Sequence, residues 1–349
     1  MQRRTFWLTG LCLVTAIVGF QKGWFRRPAD PADEMPAPVS MAIETARPTA
    51  AEDVPRPELP VGRRYPYLKT VVQELSQSGS PAPYVSQTVL ELQFGLMVEE
   101  VAPERTRLSV RYDRVRYRRE MSGDRLEYDS ATAAHPVPVE ALPYHGLAGN
   151  GFSFWLDGEN RIVEFVGFDA FLDRCVRVIP AEHRQAVLAT LAARGRDDAV
   201  ATFLDESIGL LPFGAAEPAV PTKAGDAWSQ ERKLAEPVPL NLSTRYTIRS
   251  ADEATLEVDI LGNIVPAPSY APSYAQVSYT PSDDVNLRVR NGHTFGSCRI
   301  GRRTGLPLEA RLERWLTMAV TLPDGTTLDQ RKKVISTLQA QPLEEPSTN

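Results

Sequence analysis

The feature that most constrains the fold is a strict alternation of apolar and polar residues in segment 85–98. Every second residue from Leu90 to Val98 is large and apolar, and the residues between them are polar up to Gly95. This period of two is typical of a β-strand that buries one of its two sides. The chain is therefore predicted to form a sheet with one apolar face.

A second strand is predicted over residues 106–119, and it contains an irregularity. Its inward positions shift by one residue at Asp113-Arg114, because the alternation that ends at Tyr112 resumes at Val115. A shift of this kind indicates a β-bulge, since one extra residue restores the apolar side chains to the buried face. Together with segment 85–98, this strand is predicted to form a long antiparallel hairpin.

Similar alternation predicts further strands along the chain. Two pairs are joined by tight turns, at Asp157-Gly158 and Asp324-Gly325, which favour hairpins. The remaining segments alternate without an obvious partner. The predicted strands are 152–156 with 161–166, 308–322 with 327–338, and 244–248, 255–260, 285–289 and 294–300.

The middle of the chain changes to a helical period. Apolar residues recur three and four positions apart from Phe168 to Ile179, which places them on one helical face. A second helix is predicted after Pro180, ending at Gly195, and a third over 200–208. Each has a single apolar stripe, so we expect the three helices to pack on a sheet face.

These elements predict an α+β protein that consists mainly of antiparallel β-structure. The β-rich body spans 61–342, with halves at 61–166 and 222–342 and a three-helix insertion at 167–213. The similar length of the halves suggests a duplication. We expect the strands to form a curved sheet or half-barrel.

The N-terminus has the layout of an exported protein. A basic start and an apolar run from Thr5 to Phe20 predict an export signal or a membrane anchor within residues 1–27. Residues 28–60 contain eight prolines and seven acids, a composition that predicts a disordered linker. Residues 343–349 are expected to be a disordered tail. The body is therefore predicted to lie outside the cytoplasm, periplasmic if the segment is cleaved and membrane-anchored if it is retained.

Composition excludes several classes of protein and ligand. With 42% apolar and 24% charged residues, the chain is neither collagen-like, wholly disordered nor a multispan membrane protein. Outside the first 27 residues, 34 basic side chains face 44 acidic ones, a net charge of −10 that disfavours nucleic acid. A cluster of arginines allows either cross-strand ion pairs or a polyanion-binding stripe; it comprises Arg105, Arg107, Arg111, Arg114, Arg116, Arg118 and Arg119.

Residues able to carry chemistry are few. Cys175 and Cys298 either form a disulfide or are two buried thiols. No cofactor motif occurs, and no metal site is predicted because the histidines lack ligand spacing. They are His135, His145, His183 and His293.

One group of residues suggests a hydrolase. Asp129 and Ser130 close a predicted strand, and His135 follows within a Pro-containing loop. These are the residue types of a nucleophile, a base and an orienting acid, but their geometry is not determined by sequence.

The order of the motifs resembles an uncharacterised family of bacterial envelope or secreted proteins over residues 67–338. The resemblance implies an exported, β-rich protein with a helical insertion, and it implies no activity or catalytic residue. It is carried by YLKTVVQELSQ, VSQTVLELQFGLMV, RLSVRYDRVRYRR, LEYDS, GFSFWLDGENRIVEFVGFDAFLDR, GLLP followed by GDAW, GRRTGLPLEARLERWLTMAVTLPDG, and QRKKVISTL.

Two functions remain open at this point. The first is a noncatalytic envelope protein whose curved sheet clasps the helices and binds an apolar ligand or an envelope protein. An uncleaved N-terminal segment would add the membrane as a partner. The second is an envelope hydrolase with a loop site at Asp129, Ser130 and His135.

Overall fold

The structure is a computed structural model. Residues 1–58, which we assign to the export segment and most of the linker, lie outside the described part, as does the tail 343–349. The described residues are 59–78, 84–121, 123–132, 137–138, 141–157, 162–177, 179, 181, 223–234, 240–266, 286–321 and 325–342.

Twelve strands and two helices make up this part of the chain. The strands are β1 Arg64–Ser78, β2 Tyr84–Val101, β3 Arg105–Met121, β4 Asp124–Asp129, β5 Gly151–Asp157, β6 Ile162–Val166, β7 Ala227–Leu234, β8 Leu240–Ala251, β9 Thr255–Pro266, β10 Asn286–Gly301, β11 Pro307–Thr321 and β12 Thr327–Ala340. The helices are α1 Leu142–His145 and α2 Phe168–Arg177.

All twelve strands belong to one open, curved antiparallel sheet. The alternation predicts the antiparallel strands, but it does not predict that they join in a single sheet. Its order is β6-β5-β3-β2-β1-β12-β11-β10-β9-β8-β7, and β4 pairs with the end of β3. Both predicted halves therefore lie in the same sheet, and they meet where β1 pairs with β12. The edges of the sheet are β6 and β7, the two strands that flank the segment between the halves.

The predicted bulge in β3 is confirmed. Gln93 lies opposite Arg114 and Phe94 lies opposite Tyr112, so Asp113 is the additional residue. Beyond the bulge Val115 returns to the buried face and is fully buried. The bulge lies where the second neighbour of β3 changes from β5 to β4.

One face of the sheet, here called the inner face, carries the buried side chains. At its β5 side helix α2 packs through Phe171, which is fully buried. A chain of aromatic rings connects this helix with the centre of the sheet. The ring centroids are 6.2 Å apart for Phe171 and Tyr112, 5.9 Å for Tyr112 and Phe94, and 5.5 Å for Phe94 and Tyr67.

Glycines allow the strands to approach closely where β9, β10 and β11 meet. A Cβ atom at Gly296 would lie 2.0 Å from the Arg311 carbonyl oxygen, and one at Gly262 would lie 2.5 Å from Cγ2 of Thr294. Both distances are too short for any other residue without a shift of the neighbouring atoms. Glycine within a strand is typical of such close approach in a strongly bent sheet.

Several sequence predictions need correction or completion. The first helix of the predicted insertion is present as Phe168–Arg177, but the described residues contain no three-helix insertion, because the other two helices fall outside them. The strands predicted at 285–289 and 294–300 are one strand, β10, with a register shift between Val289 and Asn291.

The central strand β1 was not predicted. Its inner positions include Lys69 and Gln73, which interrupt the apolar alternation.

Candidate functional site

A row of mainly polar residues crosses the inner face, which is largely apolar elsewhere. Its members lie directly opposite one another on successive strands, so they all belong to the same face. From β7 to β3 this polar row consists of Gln230, Thr244, Gly262, Thr294, Arg314, Val334, Gln73, Thr88 and Arg119.

Several side chains of the polar row are buried. Thr294 and Arg119 are each only 2% exposed, and Thr244 and Gln73 are 4% and 5% exposed. Among the described residues, the Thr294 hydroxyl has no hydrogen-bond partner. Leaving a buried hydroxyl unsatisfied costs about 1–3 kcal/mol. Since folding alone would favour apolar residues here, the row is a candidate binding site.

The inner face also has an uneven distribution of charge. None of its described positions in β1–β3 and β7–β12 is aspartate or glutamate, and five are basic. The five are Lys69, Arg119, Arg232, Arg314 and Lys332. The described acids of these strands lie on the outer face or at strand ends. At its described positions in these strands, the inner face therefore carries basic but no acidic side chains, although the body as a whole is acidic.

Two of these basic side chains have partners at the margins of the inner face. Arg119 lies 3.5 Å from the carboxylate of Asp124, at the turn that begins β4. Arg232 donates two hydrogen bonds, of 3.0 and 2.7 Å, to the side-chain oxygen of Gln230.

The centre of the polar row brings two basic residues close together. Arg314 on β11 and Gln73 on β1 lie on either side of Val334 on β12. Lys332 is the next inner residue along β12, diagonal to Arg314, and Thr294 lies opposite Arg314 on β10. Diagonal neighbours on one face are within reach of long side chains. Register therefore makes Arg314, Lys332 and Thr294 neighbours on the inner face.

Asp129 and Ser130, two residues of the hydrolase hypothesis, take part in hydrogen bonds with residues of β3 and of the following turn. Asp129 accepts hydrogen bonds from Arg114 at 2.8 and 2.5 Å, from Arg116 at 3.0 Å and from the Ala131 amide at 3.0 Å. Hydrogen bonding by Arg114 is the main reason why the pKa of Asp129 is well below its usual range. Ser130 accepts a hydrogen bond of 2.9 Å from the Val115 amide.

The histidine that the hydrolase hypothesis requires is not among the described residues. His135 lies outside the described residues, as does His183. His145, the described histidine closest in sequence, forms a 2.6 Å hydrogen bond through Nδ1 with the hydroxyl of Tyr128. His293 lies on the outer face, its ring 6.3 Å from that of Trp315. These contacts are those of structural side chains.

Four members of the arginine cluster form ion pairs on the outer face, as the cross-strand interpretation predicts, whereas Arg119 lies on the inner face. Arg107 lies 2.8 Å from the carboxylate of Glu99, on the neighbouring strand. Further pairs are Arg105–Glu164 at 3.1 Å, Arg114–Asp129 at 2.5 Å and Arg116–Glu91 at 3.5 Å. Much of the positive charge of this cluster is therefore compensated by neighbouring acids.

Cys175 and Cys298 are free thiols buried in different apolar clusters. Cys175 donates a 3.2 Å hydrogen bond to the Gly146 carbonyl, whereas Cys298 lies on β10. Burial raises the pKa of each thiol to about 12.

Two further searches concern only the described part of the chain. No three side chains of His, Cys, Asp or Glu come together there in a group that could hold a metal ion. None of the helices there is both long and apolar enough to cross a membrane.

Residues 103–306 match a protein family described as a family of unknown function (DUF6263). The match extends over more than half of the chain. The chain belongs to this family. Membership in DUF6263 confirms the resemblance to an uncharacterised family, and no curated protein matches the chain.

Solved structures similar to this DUF6263 chain are very distant. The crystal structure of Pseudomonas aeruginosa OccK5 (OpdH) has a TM-score of 0.20 and 6% identity, covering 80% of this chain and 98% of that one. The COG4313 outer membrane channel from Pseudomonas putida F1 has a TM-score of 0.18 and 9% identity, covering 84% of this chain and 100% of that one. Likeness at these TM-scores supports no conclusion about function.

Sequence reasoning missed the polar row. Gln73, Thr294 and Arg314 are distant in sequence, and each is an ordinary polar residue within its own strand. Their common row depends on pairing between strands that the sequence does not specify. A usable signal was the interruption of apolar alternation at inner positions, such as Arg314 between Leu312 and Leu316.

Proposed function

We propose that this protein is a noncatalytic, exported protein of the bacterial cell envelope that binds an apolar ligand on the inner face of its sheet. The observation that carries the proposal is the continuity of this apolar face beyond the described helices. Buried side chains extend across β8–β11 in two clusters, whereas helices α1 and α2 contact mainly β3 and β5.

The composition of these clusters supports an apolar ligand over a polar one. The one of these two clusters that reaches β11 contains Leu242, Ile264, Leu316 and Met318, all at most 5% exposed. Concave surfaces lined by such side chains, with a few polar groups among them, are typical of ligand sites. A curved sheet can enclose a ligand of this kind between its two halves.

Export is supported by the N-terminal composition. The basic start, the apolar run over 5–20 and the Pro-rich segment 28–60 are an ordinary arrangement for a protein held or released outside the cytoplasm.

Native mass spectrometry of the full chain, expressed with its N-terminus intact, tests the proposal. We expect the protein in membrane or soluble envelope fractions, with a small hydrophobic molecule retained. The delipidated protein should rebind the neutral dye Nile red. An unprocessed protein confined to the cytosol would refute export, and delipidated protein that binds neither dye nor lipid would refute ligand binding. A retained polypeptide in place of a lipid would favour an envelope protein as the occupant.

A further inference from the structure

We infer that a second copy of this chain docks on the outer face of strands β8–β11 and forms a two-fold symmetric dimer. The inference goes beyond the proposed function, which concerns the inner face, and it uses the opposite side of the sheet. The contact is centred on two exposed apolar residues, Leu261 on β9 and Phe295 on β10, which lie directly opposite each other.

The exposure of these apolar side chains is the first argument. Leu261 is 65% exposed and Phe295 is 40% exposed, and Val265, also on the outer side of β9, is 43% exposed. The ring of His293 lies 6.0 Å from that of Phe295 and 6.3 Å from that of Trp315, nearly parallel to both. Adjoining apolar side chains on a surface mark an interaction site, whereas scattered ones do not. The outer face of β9–β11 therefore offers an apolar centre to a partner.

The order of charges across these strands is the second argument, because it makes the outer face complementary to itself. One row of outer residues runs from β8 to β11 and consists of Arg249, Glu257, Arg299 and Glu309. Within the chain, Arg249 lies 2.9 Å from Glu257, and Arg299 lies 3.4 Å from Glu309. Opposite charges therefore stand at equal distances on either side of the line between β9 and β10.

A second row has the same antisymmetric order. It consists of Arg245, Leu261, Phe295 and Glu313, from β8 to β11. The apolar pair lies at its centre, with a basic residue at one end and an acid at the other. Glu313 already lies 3.3 Å from Lys333 on β12, so an arginine from a second copy would join an existing ion pair.

A two-fold axis parallel to the strands, over the line between β9 and β10, brings these rows into register in two copies. It sets β9 against β10 of the second copy, and β8 against β11. Arg249 then faces the partner's Glu309, and Glu257 faces the partner's Arg299. Self-complementarity of this kind is what an isologous interface requires. Each charge keeps its partner within the chain, and the second copy adds another opposite charge.

The size of the contact predicts a weak dimer. Four strands spaced about 4.8 Å apart, over a length of about 30 Å, present about 600 Å² per copy. Two copies would together bury about 1,200 Å², at the lower end of specific interfaces. Because the sheet is curved, the contact is not expected to extend over many more strands. We expect a dissociation constant of about 10–100 μM.

Sedimentation velocity of the full chain, at protein concentrations on both sides of this range, tests the inference. We expect wild type to show a reversible equilibrium between monomer and dimer. Arg249→Glu and Glu309→Arg should each weaken the dimer at least tenfold, because each places like charges opposite each other twice. An equal mixture of the two variants should dimerise about as strongly as wild type, since in the mixed dimer each of these charges faces an opposite one.

Matched variants control for net charge and for lost apolar surface. Arg118→Glu, at an exposed outer position of β3, changes the net charge as Arg249→Glu does and should leave the dimer unchanged. Leu261→Ser should weaken the dimer at least tenfold, because the symmetry removes the side chain from the interface twice. Val85→Ser, at a residue of β2 that is 60% exposed, should have no effect on it.

Recovery of the dimer in the mixture is the sharpest result, since it requires both variants to be folded and the two positions to face each other. A wild-type chain that stays monomeric would overturn the inference and leave a different molecule as the partner of the apolar pair. A dimer that Arg249→Glu, Glu309→Arg and Leu261→Ser leave unchanged would place the interface elsewhere and overturn it as well. A mixture that stays monomeric would do the same.

Discussion

The bulge at Asp113 predicts that deleting single residues from β3 has very different consequences at different positions. Deleting Asp113 makes Tyr112, Arg114 and Val115 consecutive, so Tyr112 and Val115 keep their inner positions in a regular strand. Deleting Ser109, only four residues away, forces one part of the strand to turn over. Both deletions shorten the strand by one residue, so each is a control for the other.

The burial of the inner side chains of β3 determines how far the two deletions differ in their effect on the free energy of unfolding. Without Ser109, either Val110 and Tyr112 turn outward or Leu108 does, and all three are at most 1% exposed. Turning out Val110 and Tyr112 costs about 1.5–3 kcal/mol each, and a charge brought inward costs several kcal/mol more. This approaches the total stability of about 5–15 kcal/mol of ordinary domains. Deleting Asp113 removes an exposed ion pair with Arg64, worth less than about 1 kcal/mol, together with local twist.

Urea denaturation followed by tryptophan fluorescence and far-ultraviolet circular dichroism measures both variants. We expect the variant lacking Asp113 to unfold cooperatively, within about 2 kcal/mol of wild type and with its melting temperature lowered by less than about 8 °C. The variant lacking Ser109 should be unfolded or insoluble. Equal destabilisation by the two deletions, or a stable protein without Ser109, would refute the assignment of the bulge and of the inner face.

Three further predictions follow from burial and electrostatics. Leu92→Ala should lower the free energy of unfolding by about 2–5 kcal/mol, because Leu92 is fully buried. Leu261 is 65% exposed on the outer face, so Leu261→Ala should change the free energy of unfolding by less than about 0.5 kcal/mol. Similar losses for the two variants in urea denaturation would contradict the assignment of the inner and outer faces. Because the pKa of Asp129 is lowered in the folded state, its ion pairs contribute stability above its unfolded pKa of about 3.9, and this contribution declines as the pH falls through the folded pKa. Asp129→Asn should therefore lose about 1 kcal/mol at pH 7 and progressively less on acidification, and a constant difference between pH 7 and pH 2 would argue against this origin. Burial raises the thiol pKa of Cys175 and of Cys298 to about 12. Both thiols should therefore resist iodoacetamide at pH 8 in the native protein and react once the protein is unfolded. Peptide mapping that finds the two cysteines joined by a disulfide would contradict the free thiols.

Much of the secondary structure could be predicted because it depends on local periodicity. The hairpin of β2 and β3, its bulge, the β5–β6 and β11–β12 pairs and helix α2 all follow from which residues are apolar at spacings of two or of three and four. The strand β1 escaped prediction because Lys69 and Gln73 interrupt its alternation, even though both are buried.

The sequence by itself determined that this chain builds antiparallel sheet with one buried face, since the side-chain period of a strand is independent of its partners. Only the tertiary structure decided that β1 pairs with β12, which joins the two halves into one sheet. It also aligned Gln73, Thr294 and Arg314 in one row. Within the arginine cluster it turned Arg119 inward, whereas Arg107 meets an acid on the outer face. Register between strands distant in sequence is a property of their packing, so no local pattern could have specified this row.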